Sequence, residues 1–193
     1  KGLKSLFFSL SGTGMLTTSA NNFTGTAKDD TFLATSAADW SVGDSLDGGK
    51  GTDTLKIIDT AAIDISDVPV GGSLKNVEIL DLISGDNVDA DTTLIDGLTL
   101  LNITSKTTTA AADNSATASA TTDIRVTDTN ASTTNAANTI TVNSGKDVTV
   151  VSKNNGAGDA ATKDDITVGN TTAAAGKVSV TSTGDAAGGA NLG

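Results

Sequence analysis

Hydrophobic and polar positions alternate along this chain in short bursts. Ile124-Arg-Val126, Ile140-Thr-Val142, Val148-Thr-Val150, Ile166-Thr-Val168 and Val178-Ser-Val180 each set a polar residue between two β-branched ones. A period of two built on Val and Ile predicts strands with aliphatic side chains inward and Thr, Ser or Arg outward. Residues 140–150 and 166–180 read as one duplicated unit, the second copy carrying a longer Thr/Ala loop. Upstream, Thr54-Leu-Lys-Ile-Ile58 and the alternation Ile63, Ile65, Val68 predict two more strands, and Leu6, Phe8 and Leu10 an amphipathic opening strand. Residues 74–83 and 94–103 each predict an apolar lead-in, a small turn and a strand of about six residues, repeated after about twenty. Leucine-rich repeats share that flavour. Two copies without an Asn ladder fit rungs of a β-solenoid or neighbouring sheet strands better. No segment carries a 3.6-residue period. The expected class is all-β, a β-solenoid or stacked short-strand sheets.

Three regions follow from the pattern: a β domain over residues 1–106, a low-complexity Ala/Thr tract over 107–122, and a repetitive β-strand domain over 123–193. The tract fits a linker, an exposed loop or a flat rung of small residues. The way the chain starts at Lys1 and stops at Gly193 leads us to expect a fragment of a longer polypeptide.

Composition narrows the core and the chemistry. Aromatic residues make up 3% of the chain, with no Tyr and one Trp, so the core must be thin and aliphatic, as in solenoids and sandwiches of short strands. The net charge of −11 argues against nucleic acid and against anionic membrane surfaces. Nearly all of the acid is Asp, Glu78 being the only glutamate. Asp belongs in turns and around hard cations, because its short carboxylate stays near the backbone. Much of this acidity also simply keeps the chain soluble. The absence of His and Cys excludes a Ser-His-Asp triad, a Cys-His pair and a His-based zinc site. No stretch approaches the ~18 apolar residues of a membrane helix. A carboxylate pair drawn from Asp81, Asp86, Asp89 or Asp91 could do acid–base work on a polysaccharide, but these residues sit in turn-like stretches and no aromatic platform accompanies them. We expect no enzyme.

One stretch carries specific chemistry. Gly48-Gly-Lys-Gly-Thr-Asp-Thr-Leu-Lys56 fits the nonapeptide G-G-x-G-x-D-x-U-x, and Asp44-Ser-Leu46 supplies the second half of an earlier copy in register. Such units are Gly-rich turns followed by very short strands, and stacked turns can hold Ca²⁺ between backbone carbonyls and Asp oxygens. An ordinary Gly/Asp turn is the competing reading. Gly25-Thr-Ala-Lys-Asp-Asp-Thr-Phe32 repeats the frame, with Asp30 and Phe32 in the Asp and apolar slots and Lys28 in a glycine slot. Asp30 and Asp53 are 23 residues apart, where two ideal units would span about 18. A short insertion is therefore expected, around residues 36–40. The candidate calcium ligands are Asp30, Asp44, Asp47, Gly49, Gly51 and Asp53, for one or two ions.

Taken with residues 74–82 and the I-T-V strands after residue 120, these segments resemble bacterial surface-layer proteins and the related type I secreted surface proteins with RTX-like calcium motifs. The resemblance implies an extracellular, cell-surface structural protein that folds after export on meeting calcium and polymerises with itself into a layer, sheath or filament. Cell-surface polysaccharide is a further partner it allows, with neither nucleic acid nor membrane insertion involved. An adhesin or stalk segment of a large secreted repeat protein is the alternative. An ice-binding face is the weaker one, since the T-x-T pairs at Thr127-Asp-Thr129 and Thr181-Ser-Thr183 are too irregular for a flat array.

Overall fold

The computed structural model describes residues 13–65, 73–108, 113–131, 138–154, 164–183 and 190–192. The expected opening strand at Leu6, Phe8 and Leu10, and Val68, lie outside them. The described chain is a β-solenoid. Its first two rungs are β1 (Thr13–Met15) with β2 (Asn22–Thr24), and β3 (Thr31–Ala34) with β4 (Ser45–Asp47). The third rung has three strands, β5 (Thr54–Asp59), β6 (Ile63–Ile65) and β7 (Ser73–Lys75). There follow β8 (Ile79–Ser84) with β9 (Val88–Asp91), β10 (Leu100–Thr107) with β11 (Asp113–Ala118), and β12 (Asp123–Asn130) with β13 (Thr139–Ser144). The last two rungs are β14 (Val148–Asn154) with β15 (Asp165–Val168), and β16 (Val178–Thr183) with β17 (Ala190–Leu192).

The first strand of every rung joins one eight-stranded sheet, β1-β3-β5-β8-β10-β12-β14-β16. Opposite it stand two smaller sheets in succession, β2-β4-β7 over the early rungs and β6-β9-β11-β13-β15-β17 over the later ones. Among the described residues only the third rung contributes to all three. Every pairing is parallel and in register, for example Leu55↔Leu80, Leu80↔Leu101, Leu101↔Ile124 and Ile124↔Val148. The two segments that share the leucine-rich flavour become neighbours, Ile79 pairing with Leu100, and the chain returns from them through strands β9 and β11. The duplicated unit is also in register, Ile140 against Ile166 and Val148 against Val178.

Alternation makes the core. Leu55, Leu80, Leu101, Ile124 and Val148 form one inward column and Ile57, Leu82, Ile103, Val126 and Val150 the next, each at most 2% exposed. Facing them are Ile63, Val88, Ile140 and Ile166. Burying each such side chain contributes about 1.5–3 kcal/mol, and stacking like on like about 4.8 Å apart leaves no gap between rungs. Small residues serve as well: in β11, within the Ala/Thr tract, Ala116 and Ala118 are buried and the strand pairs with β9 and β13 on its two sides. Near the first rungs the Phe23 and Phe32 rings stack at 6.2 Å. Among the described residues no helix is long and apolar enough to cross a membrane.

The interval between the Gly/Asp turns contains a 3-10 turn, Ala37–Asp39, capped by Ser36 and held from the next rung by Asp59, which accepts from the Ala37 N–H at 2.8 Å and the Ser36 hydroxyl at 3.1 Å. This excursion lets Thr31 and Thr54 stay paired despite the longer repeat.

Candidate functional site

The turn at residues 48–53 lies directly on the turn at 25–30. Lys50 N–H donates to the Thr26 carbonyl at 3.1 Å and Thr54 N–H to the Asp30 carbonyl at 2.9 Å. Gly49 and Gly51 hold φ of 96° and 132°, and a Cβ at either would run into the lower turn, at the Thr26 carbonyl oxygen and the Lys28 backbone respectively. Stacking therefore demands glycine there, as positive φ and close backbone approach do generally.

At the end of each turn a carboxylate precedes the strand. Asp30, Asp53 and Glu78 stand one above the next, and each upper carboxylate caps the amide below. Asp30 N–H donates to Asp53 Oδ1 at 2.7 Å, and Asp53 N–H to Glu78 Oε2 at 2.8 Å. Asp30 Oδ2 is itself taken by the Thr26 N–H and by Thr26 Oγ1 at 2.9 Å. Asp53 is fully buried, yet its Oδ2 has no hydrogen-bond partner among the described residues. Burial pushes the Asp53 carboxyl above its ordinary 3.8; the Asp30 N–H opposes this, and the charges of Glu78, Asp30 and Asp29 add to the rise.

The other two acids do different work. Asp44, also fully buried, sits before β4 at the far end of that strand from the turn. It accepts from Asn21 N–H at 2.7 Å, Asn21 Nδ2 at 3.0 Å and Ser41 N–H at 2.6 Å, so it is a saturated corner cap. Asp47 points to the surface and accepts from Asn76 Nδ2 at 2.7 Å, Gly49 N–H at 3.2 Å and Lys75 Nζ at 3.4 Å. The Asn76 bond, with Lys75 behind it, holds its carboxyl below the ordinary value. Of the six candidate ligands, then, Asp30, Gly49, Gly51 and Asp53 share one corner, Asp47 borders it with its carboxylate on Gly49 N–H, Asn76 and Lys75, and Asp44 is engaged elsewhere. Among the described residues no three His, Cys, Asp or Glu side chains gather as a ready metal cluster.

Sequence reasoning passed over Glu78. Its signal was present: Asp30-Thr-Phe32, Asp53-Thr-Leu55 and Glu78-Ile-Leu80 share one acid-x-apolar frame at the same place in successive rungs.

It also passed over a polar network inside the solenoid. The inward position after the two apolar columns is Ser84, Ser105, Asp128 and Ser152 in successive rungs, all buried. Asp128, fully buried, accepts from Ser105 Oγ at 2.5 Å, Asn114 Nδ2 at 3.0 Å and Asn138 Nδ2 at 2.8 Å. Asp164 accepts from Ser152 Oγ at 2.5 Å and Asn138 N–H at 2.9 Å. Burial raises the Asp128 carboxyl above its ordinary value; the Ser105 and Asn138 bonds resist, and the Asp164 charge reinforces the rise.

No protein-family profile matches this chain, and no curated protein matches it.

Proposed function

We propose that this chain is a structural, non-catalytic segment of a bacterial extracellular surface protein, a rod that assembles with copies of itself into a layer, sheath or filament and is stabilised by calcium. The observation that carries the reading is the unpartnered, buried Asp53 Oδ2 at the one turn that fits the nonapeptide throughout. An anionic oxygen buried without a donor is costly, and a hard divalent cation is the species that relieves it. Asp53 and backbone carbonyl oxygens around its turn would hold the ion. Calcium would supply charge neutralisation between rungs, so that binding energy becomes folding energy in a calcium-rich medium and is missing inside the cell.

Self-assembly is supported by the architecture. A solenoid grows by adding parallel strands to sheet edges, and copies can join by the same geometry. With a net charge of −11 and no His or Cys, neither nucleic acid nor a His- or Cys-based catalyst is a natural reading. Cell-surface polysaccharide remains a fitting second partner.

Negative-stain imaging of the purified chain, with calcium added and then chelated, tests the proposal. Ordered sheets, tubes or filaments that form with calcium and dissolve with chelator are expected. Calcium-dependent folding without assembly would replace the lattice with an adhesin or stalk segment, and assembly indifferent to calcium would remove the metal.

A further inference from the structure

The two stacked turns differ in one respect that decides where a cation fits. Resting on the calcium reading above, we infer that the described residues hold a single calcium site, between the 48–53 turn and the rung above it, made by Asp53 Oδ2, the Asn76 carbonyl and the Glu78 carboxylate; the lower turn is closed by Thr26.

In the lower turn, a Cβ placed on Gly25 would collide with the Gly48 carbonyl oxygen and lie 2.7 Å from Asp30 Oδ2. In the upper turn, a Cβ on Gly48 would collide with the Asn76 carbonyl oxygen and lie 2.5 Å from Asp53 Oδ2. Each glycine thus marks a point where a carbonyl oxygen from the rung above meets a carboxylate oxygen of its own turn. Below, Thr26 occupies that carboxylate with both its N–H and its hydroxyl. Above, the equivalent residue is Gly49, which has no hydroxyl and whose N–H turns to Asp47 Oδ1. Asp53 Oδ2 is left bare.

Charge points the same way. Glu78, Asp30 and Asp29 all act on Asp53 with the same sign, and Lys75 Nζ reaches Asp47 instead. Glu78 is tied to the site through the Asp53 N–H. Asn76 stands where the lower rungs have Gly25 and Gly48 and adopts a positive φ of 49°, a conformation Asn tolerates better than most residues. The nonapeptide pattern alone would place an ion between the two Gly/Asp turns. The distribution of free oxygens places it one rung higher.

Because Glu78 is the only glutamate, a chain labelled with ¹³C at the Glu side-chain carboxyl gives one carboxylate resonance. Titrating the full chain with calcium chloride should bind one ion per chain by calorimetry, and the Glu78 signal should move and saturate with it. Glu78→Gln keeps an acceptor for the Asp53 N–H and should raise Kd about tenfold, whereas Asp30→Asn should change it by less than about twofold, affinity following the charge of the ligand set. Calcium binding with a stationary Glu78 signal, two ions per chain, or loss of binding in Asp30→Asn alone would overturn the single-site inference and leave calcium dependence standing. No binding by the unaltered chain would remove both.

Discussion

Truncating Asp128 to Ala tests the interior network most directly. The substitution removes the acceptor of three buried donors, Ser105 Oγ, Asn114 Nδ2 and Asn138 Nδ2. Ser105 can turn its hydroxyl at little cost. Asn114 is pinned, because its Oδ1 already accepts the Val88 N–H at 2.9 Å. Asn138 is tethered through its own N–H to Asp164. Two buried amide donors that lose this acceptor, at about 1–3 kcal/mol each, predict a loss of about 2–6 kcal/mol when the carboxyl is neutral. The loss depends on pH, and its sign follows from burial. The folded Asp128 carboxyl titrates above its ordinary 3.8, so the native state binds more protons than the unfolded chain in between. The stability this group contributes is complete below 3.8 and declines as pH rises through the folded value. Ala has no such term, so the gap between the two proteins should shrink with rising pH. Urea unfolding of both chains, from about pH 4 to about pH 8, measures that gap while the contribution of carboxylates that do not act on Asp128 cancels. A gap that widens with pH would show that the three donors outweigh burial and hold Asp128 ionised, and it would refute the reasoning.

Two further substitutions probe the corners. Gly48→Ala drives a methyl into the Asn76 carbonyl and to within 2.5 Å of Asp53 Oδ2; it should cost about 1–3 kcal/mol and abolish calcium binding, read by chemical denaturation and calorimetry. Asp59→Asn loosens the cap on the 3-10 turn and should cost about 1 kcal/mol at neutral pH. Because the Ala61 and Ala37 N–H groups hold the Asp59 carboxyl below 3.8, its contribution is present above that value and lost as pH falls through the folded one, so denaturation curves of the two proteins should converge on acidification.

The strands that were legible are short runs with aliphatic residues at alternate places, and β12 to β16 all contain such a run, although in β16 Val178, expected to point inward, is exposed. The stacking of Asp30 with Asp53 was legible too, from the repeated Gly/Asp frame. What could not be read was which sheet a strand joins. Ile63-Asp-Ile65 and Ser73-Leu-Lys75 are both three-residue strands in one rung, yet they enter different sheets; turn geometry between them decides this, and alternation is blind to it. The Ala/Thr tract hid its strand because Ala replaces Val and Ile at the inward positions 116 and 118. Asp128 was missed because a buried Asp looks in sequence like any turn residue, although an outward Thr127 and Thr129 on its two sides place it inward. At the candidate site the glycines and Asp53 announced themselves. Thr26, which decides that the lower turn is closed, is a common residue whose role depends on where its hydroxyl lies.

The strand lengths along the rod also set how it would respond to pulling. In a solenoid the inter-strand hydrogen bonds lie along the long axis, so a stretching force passes through every rung interface in turn. The first interface joins strands of three and four residues, whereas β10 and β12 share eight paired positions. Under tension the first rungs would peel before the middle ones, shedding load as a fuse does and leaving the broad central stack intact.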